Sequence, residues 1–199
     1  MAFVNLKPGT LLAPVPAVLV SCARKGEKPN AVTIAWVGTV NSDPPMVSVS
    51  VRPERYSHDI IEETGEFVVN LCGEKNLQAT DWCGVKSGRD FDKFKECGLT
   101  AVPVEGMETA PAIAECPIYL ACKVRKVERL GSHDMYIGEI VSMGISDELL
   151  DETGRIDYSK AKLVAYNHGA YYGLGEALGF FGYSVAAPDV LERRMAQLK

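Results

Sequence analysis

The sequence has no uninterrupted apolar run long enough to cross a membrane. Its apolar N-terminal segment is broken by Lys7, Pro8, Pro14 and Pro16, well short of the roughly 20 consecutive residues a spanning helix needs. The same segment has no positive start and no clear cleavage site, so no secretory signal is expected. Positive charge is also scarce. Lys and Arg number 21 against 26 Asp and Glu, a formal net charge of -5. That balance disfavours nucleic acid or an anionic membrane as a partner. A cytoplasmic protein is the resulting expectation.

The spacings of several chemical motifs are missing as well. The six cysteines, Cys22, Cys72, Cys83, Cys97, Cys116 and Cys122, include no pair two residues apart, which argues against a zinc ribbon or a thioredoxin-like site. Reduced, partly buried thiols are expected instead. There is no glycine-rich dinucleotide fingerprint after the first strand and no phosphate loop, which argues against a Rossmann fold. No Ser–His–Asp order or paired-carboxylate motif needs explaining as a catalytic set. With no repeat, low-complexity run or linker, residues 1–199 read as a single domain with a Gly- and aromatic-rich C-terminal extension.

What is present is a series of short β segments. Ala17–Ala23 is an apolar run of strand length, and Ala31–Gly38 is rich in β-branched residues. Pro44 and Pro45 bar a helix after it. In Met46–Arg52 the valines Val47, Val49 and Val51 share one face, and Met46, Ser48, Ser50 and Arg52 the other. The serine face offers hydroxyls to an approaching ligand; a solvent-facing edge strand is the competing reading. Ser57–Gly65 reads as a short helix with Ser57 at the N-cap, Asp59 in the first turn and Gly65 as the stop. Two longer β stretches, Pro117–Leu130 and Met135–Ile145, follow, and residues 187–199 read as a terminal amphipathic helix begun by Pro188 and Asp189. Many strands, few helices and no regular alternation predict a mainly β protein: an antiparallel, Greek-key barrel with peripheral short helices.

The segment "RPERYS" joins the serine-faced strand to that helix. A helix start offers unpaired N–H groups and partial positive charge. An arginine adds a full charge and a planar set of donors. Arg52 with Ser57 therefore suits a phosphate monoester, with Arg55 as the control position; a plain N-cap beside surface arginines is the alternative. Asn30, Thr33 and Trp36 precede the serine strand. They add hydrogen-bonding groups and a flat wall for a planar ligand. Together these features point to a phosphorylated aromatic cofactor.

"NAVTIAW", "PPMVSVSVRPERYS", "GEFVVNL", "SGRDFDKF" followed by "GLT", and "IGEI" resemble, in order and spacing, the flavin reductase-like proteins with an FMN-binding split barrel, flavoredoxins in particular. The resemblance implies noncovalent FMN and a homodimer. It places Asn30, Ala31, Val32, Thr33 and Trp36 along the ring system and ribityl chain, and Ser48, Val49, Ser50 and Arg52 along the cofactor. Arg52, Tyr56 and Ser57 hold the phosphate, with Lys93 near that end. The implied activity is FMN-dependent oxidoreduction or electron transfer, with a redox partner protein or NAD(P)H as donor. A flavin reductase that releases reduced flavin and a non-catalytic flavin-binding module are the alternatives. His133 and His168 are the histidines that could face the open side of the flavin.

Overall fold

The computed structural model describes residues 1–198. Lys199, the last residue of the expected domain and of the terminal amphipathic segment, lies outside the described residues. In chain order the strands are β1 (Val15–Pro16), β2 (Val18–Cys22), β3 (Asn30–Ile34), β4 (Val37–Ser42) and β5 (Pro45–Val51). Helix α1 (Tyr56–Thr64) leads to β6 (Glu66–Leu71), then α2 (Leu77–Val85), α3 (Lys93–Cys97), β7 (Ala101–Val102) and β8 (Ala112–Ile113). The second half holds β9 (Ile118–Arg129), β10 (Asp134–Ile145), β11 (Val164–Asn167), β12 (Ala170–Gly173) and α4 (Pro188–Ala196).

Seven strands form one antiparallel sheet in the order β3-β2-β6-β9-β10-β5-β4. Its two edge strands, β3 and β4, are consecutive in sequence and joined only by Ala35 and Trp36. So short a link forces the sheet to curl until its edges approach each other. Ser50 N–H bonds to the Trp36 carbonyl at 3.0 Å, which extends the β4–β5 pairing into the link. β3 lies beside β5 without pairing to it, so the cylinder is split there. This is the expected mainly β split barrel with a few short helices.

One difference from the expected strands sits at the split. Ala31–Gly38 is two strands broken at Ala35–Trp36. The break turns the chain from one sheet edge to the other and exposes the indole.

The barrel interior is filled by alternate residues of its strands. Val18, Val20, Val32, Val47, Val49, Val51, Phe67, Val69 and Tyr136 form one buried cluster, closed at one end by Ile60 and Ile61 of α1. Valines suit these positions because their branched side chains pack well on a pleated surface. A second cluster lies on the outer face of β2 and β3, where Leu19 and Ala31 meet Cys83 of α2 and Phe94 of α3. All six cysteines are free thiols and all but Cys97 are buried. Among the described residues no helix is long and apolar enough to cross a membrane.

Helix α1 begins two residues earlier than its sequence suggests. Arg55 is the N-cap, in extended conformation and with no side-chain capping bond; Ser57 is the second helical residue. The Ser57 hydroxyl is instead buried and accepts a 2.7 Å hydrogen bond from Asn30 Nδ2. Gly65 ends the helix in the left-handed region at φ 67°, as its lack of a Cβ favours.

Candidate functional site

The split between β3 and β5 opens into a cleft of about 480 Å³. Val32, Thr33 and Ile34 of β3 form one wall, and Ser50 of β5 with Arg52 forms the other. Gly84 and Val85 from the end of α2, and Tyr166 and Tyr171 from the β11–β12 hairpin, complete it. Trp36 and His133 stand together at the mouth, ring centroids 4.4 Å apart and tilted by 39°. Burial, aided by the nearby Arg52 charge, holds the His133 pKa below its ordinary value. His133 is therefore a neutral, half-buried ring at neutral pH.

A smaller polar hollow of about 100 Å³ adjoins this cleft and shares Val32 and Arg55 with it. Asn30, Glu54, Ser57, Lys86, Ser87 and Lys93 line the hollow. Tyr56 and Ser57, the first two residues of α1, line it too, and their N–H groups have no carbonyl partner within the helix. Lys93 is buried, and its Nζ donates to the carbonyls of Ala31 at 2.8 Å and Cys83 at 2.7 Å. An ammonium carries three donors, so one remains. Burial lowers the Lys93 pKa, and the charge of Arg55 pushes it the same way. Three cations, Arg55, Lys86 and Lys93, therefore share with one carboxylate, Glu54, a hollow that also holds an uncapped helix start, and an anion placed there would offset the excess positive charge. The wall at Gly88 must stay bare: a Cβ there would stand 2.1 Å from Asn30 Oδ1 and 2.9 Å from Tyr56 Cδ1.

The residues expected from the sequence divide among these two spaces and the core. Asn30, Tyr56, Ser57 and Lys93 line the hollow, Thr33, Trp36, Ser50 and Arg52 the cleft, and Val32 both. The buried side chains of Ala31 and Val49 belong to the two core clusters, so only their backbones are available to a ligand. Ser48 lies off both spaces, its hydroxyl directed at the Gly38 carbonyl 3.4 Å away. The arginines separate: Arg55 reaches the hollow, whereas Arg52 faces the cleft and contacts Glu54 at 3.4 Å. His133 is in the cleft; His168 sits in the β11–β12 turn at φ 41°.

Sequence reasoning missed Lys86, Ser87, Tyr166 and Tyr171. Lys86 and Ser87 lie just before and at the start of the quoted "SGRDFDKF", so their signal was at hand. The tyrosines come from a hairpin more than a hundred residues beyond β3 in sequence, and nothing local marks them.

Residues 11–175 match the flavin reductase like domain. The chain belongs to that family. The flavoredoxin of Desulfovibrio vulgaris (Miyazaki F) has a similar structure, with a TM-score of 0.83 at 31% identity over 90% of this chain and 97% of that one. The flavoredoxin from Methanosarcina acetivorans gives 0.83 at 28% identity over 94% and 100%. A high molecular weight rubredoxin of Moorella thermoacetica is 30% identical over 125 residues, 62% of this chain and 53% of that protein. The cleft and hollow are thus features of a flavin reductase-like split barrel, placed where its sheet fails to close.

Proposed function

We propose that this chain binds FMN noncovalently, with the ring system in the cleft and the phosphate in the polar hollow, and serves as a flavoredoxin-like electron-transfer oxidoreductase. The observation that carries the reading is the union of the two spaces. A flat-walled cleft opens beside a hollow of phosphate size that gathers Arg55, Lys86, Lys93, the Ser57 hydroxyl and a helix start. The likeness to two flavoredoxins supports it.

FMN, when bound, supplies the acceptance and donation of electrons. The protein's residues bind and orient. Arg55 and Lys93 offset the phosphate charge with charge-assisted hydrogen bonds. Asn30 holds the Ser57 hydroxyl in place at 2.7 Å. Ala31 turns its carbonyl out of the sheet toward Lys93. By the alternation of an antiparallel edge strand, Thr33 also turns its backbone groups away from β2, toward the cleft. Those groups fit the hydrogen-bonding rim of a flavin. Trp36, Tyr166 and Tyr171 give the ring system flat contacts.

FMN is favoured over FAD. Beyond the hollow, past Tyr56 and Gly88, lies a surface groove that carries Glu27, Asp90 and Asp92 against Lys28 and Arg89. Three carboxylates beside two cations disfavour a second phosphate.

Anaerobic reduction tests the activity. FMN-loaded protein mixed with a reduced rubredoxin- or ferredoxin-type protein, NADH or NADPH is followed by its visible spectrum. Fast bleaching of bound flavin by the redox protein, with no flavin lost on gel filtration, is the expected result. Steady NAD(P)H oxidation driven by excess free flavin would instead identify a flavin reductase that releases its product.

A further inference from the structure

Cys83 and Cys97 lie on separate elements, α2 and α3, yet their Sγ atoms are 3.9 Å apart. Cys83 is fully buried, whereas Cys97, the last residue of α3, is the one cysteine open to solvent. The segment between them, a loop followed by α3, carries Lys86, Ser87 and Gly88 in the loop and Lys93 at the start of α3, all of which line the polar hollow. Lys93 Nζ is bonded to the Cys83 carbonyl itself. The pair thus stands at the neck of the loop that forms one side of the hollow.

We propose that Cys83 and Cys97 are a reversible dithiol–disulfide pair whose oxidation closes this loop and tightens the hollow. The oxidant is a low-molecular-weight disulfide. The Cys97 thiolate attacks one of its sulfurs, forming a mixed disulfide and expelling one thiolate. Cys83 then gives up its proton and attacks the Cys97 sulfur, forming the Cys83–Cys97 bond and expelling the second thiolate. Two protein thiols are oxidised, one small disulfide is reduced to two thiols, and the two protons released are taken up by those thiols. Access dictates the order, since solvent reaches only Cys97. Acidity agrees with it. Burial pushes Cys83 up to about 12, whereas burial raises Cys97 against the opposing effects of the Cys83 hydrogen bond and the Lys93 charge. A closed loop has fewer conformations to lose when an anion binds, which favours binding by preorganisation. By linkage, a bound anion favours the disulfide to the same degree.

The consequence for FMN rests on the flavin reading; the disulfide itself does not. The full chain is incubated with oxidised glutathione, free thiols are alkylated, and a digest is mapped by mass spectrometry. A peptide linking Cys83 to Cys97, absent from the Cys83→Ser and Cys97→Ser variants, is expected. Retention of all six thiols, a persistent glutathione adduct on Cys97, or linkage to another cysteine overturns the pair. Tightening is read in two ways on the oxidised and dithiothreitol-reduced forms. Tryptic cleavage after Lys86 and Arg89 should slow on oxidation, and FMN should bind roughly threefold to tenfold more tightly. Unchanged cleavage with the linked peptide present overturns the tightening. Failure of FMN to bind either form overturns the flavin assignment instead, and the cleavage rate then decides the tightening alone.

Discussion

Two arginines three residues apart show what a sequence conceals about a single side chain. Arg52 and Arg55 flank a proline and a glutamate and differ in sequence by nothing that marks a phosphate ligand. The fold distinguishes them because Arg55 is the N-cap of α1, whose start lines the hollow, whereas Arg52 follows β5 beside the cleft. The sequence points to Arg52, and the geometry favours Arg55. A charge-assisted hydrogen bond contributes about 1.5–3 kcal/mol. Arg55→Ala should therefore weaken FMN binding by roughly tenfold to a hundredfold and leave riboflavin binding nearly unchanged. Arg52→Ala should affect both flavins alike. Fluorescence titration of the two variants checks this, and an FMN-specific loss confined to Arg52→Ala would return the phosphate to Arg52.

Most elements were legible because each follows from local chemistry. The alternation of valine and serine in β5 put Val47, Val49 and Val51 in the core, and Gly65 stopped α1. The start of α1 was not legible. Ser57 is a good capping residue by type, but Asn30, from a distant strand, holds its hydroxyl, so tertiary contact overrode local preference. A different long-range tie fixes β6. The Glu66 carboxylate accepts from the N–H groups of Glu108 at 3.0 Å and Thr109 at 2.9 Å, and from the Thr109 hydroxyl at 3.2 Å, which pins the β7–β8 connection to the barrel. Burial raises the Glu66 pKa, but these donors together outweigh it and leave it below the usual value. A lowered folded-state pKa stabilises the fold above the ordinary glutamate range, and that stabilisation is lost as pH falls through the folded-state value. Glu66→Gln should cost about 1–3 kcal/mol near neutral pH. In urea unfolding the gap from wild type should narrow on acidification; a gap that widens would contradict the assignment.

At the scale of the molecule, the ordered set of short motifs revealed the split barrel where no single motif did. The aromatic hairpin across the cleft escaped because tyrosines in a turn-rich tail have no local signature. The same tail leaves Leu174, Leu178, Phe181 and Val185 exposed. An apolar set of that kind calls for a cover, and a second copy of the chain is the proposed one. Light scattering should give about twice the 21.6 kDa chain mass, and Leu178→Asp with Phe181→Asp should shift it toward the monomer. A wild-type monomer that keeps its flavin would contradict the dimer. The central claim is that the cleft takes a flavin whose phosphate occupies the hollow at the start of α1. Titration of flavin-free protein with FMN and with riboflavin, followed by flavin fluorescence, tests it most directly. FMN binding roughly tenfold to a hundredfold tighter than riboflavin is predicted, and equal affinities, or no binding of either, would contradict it.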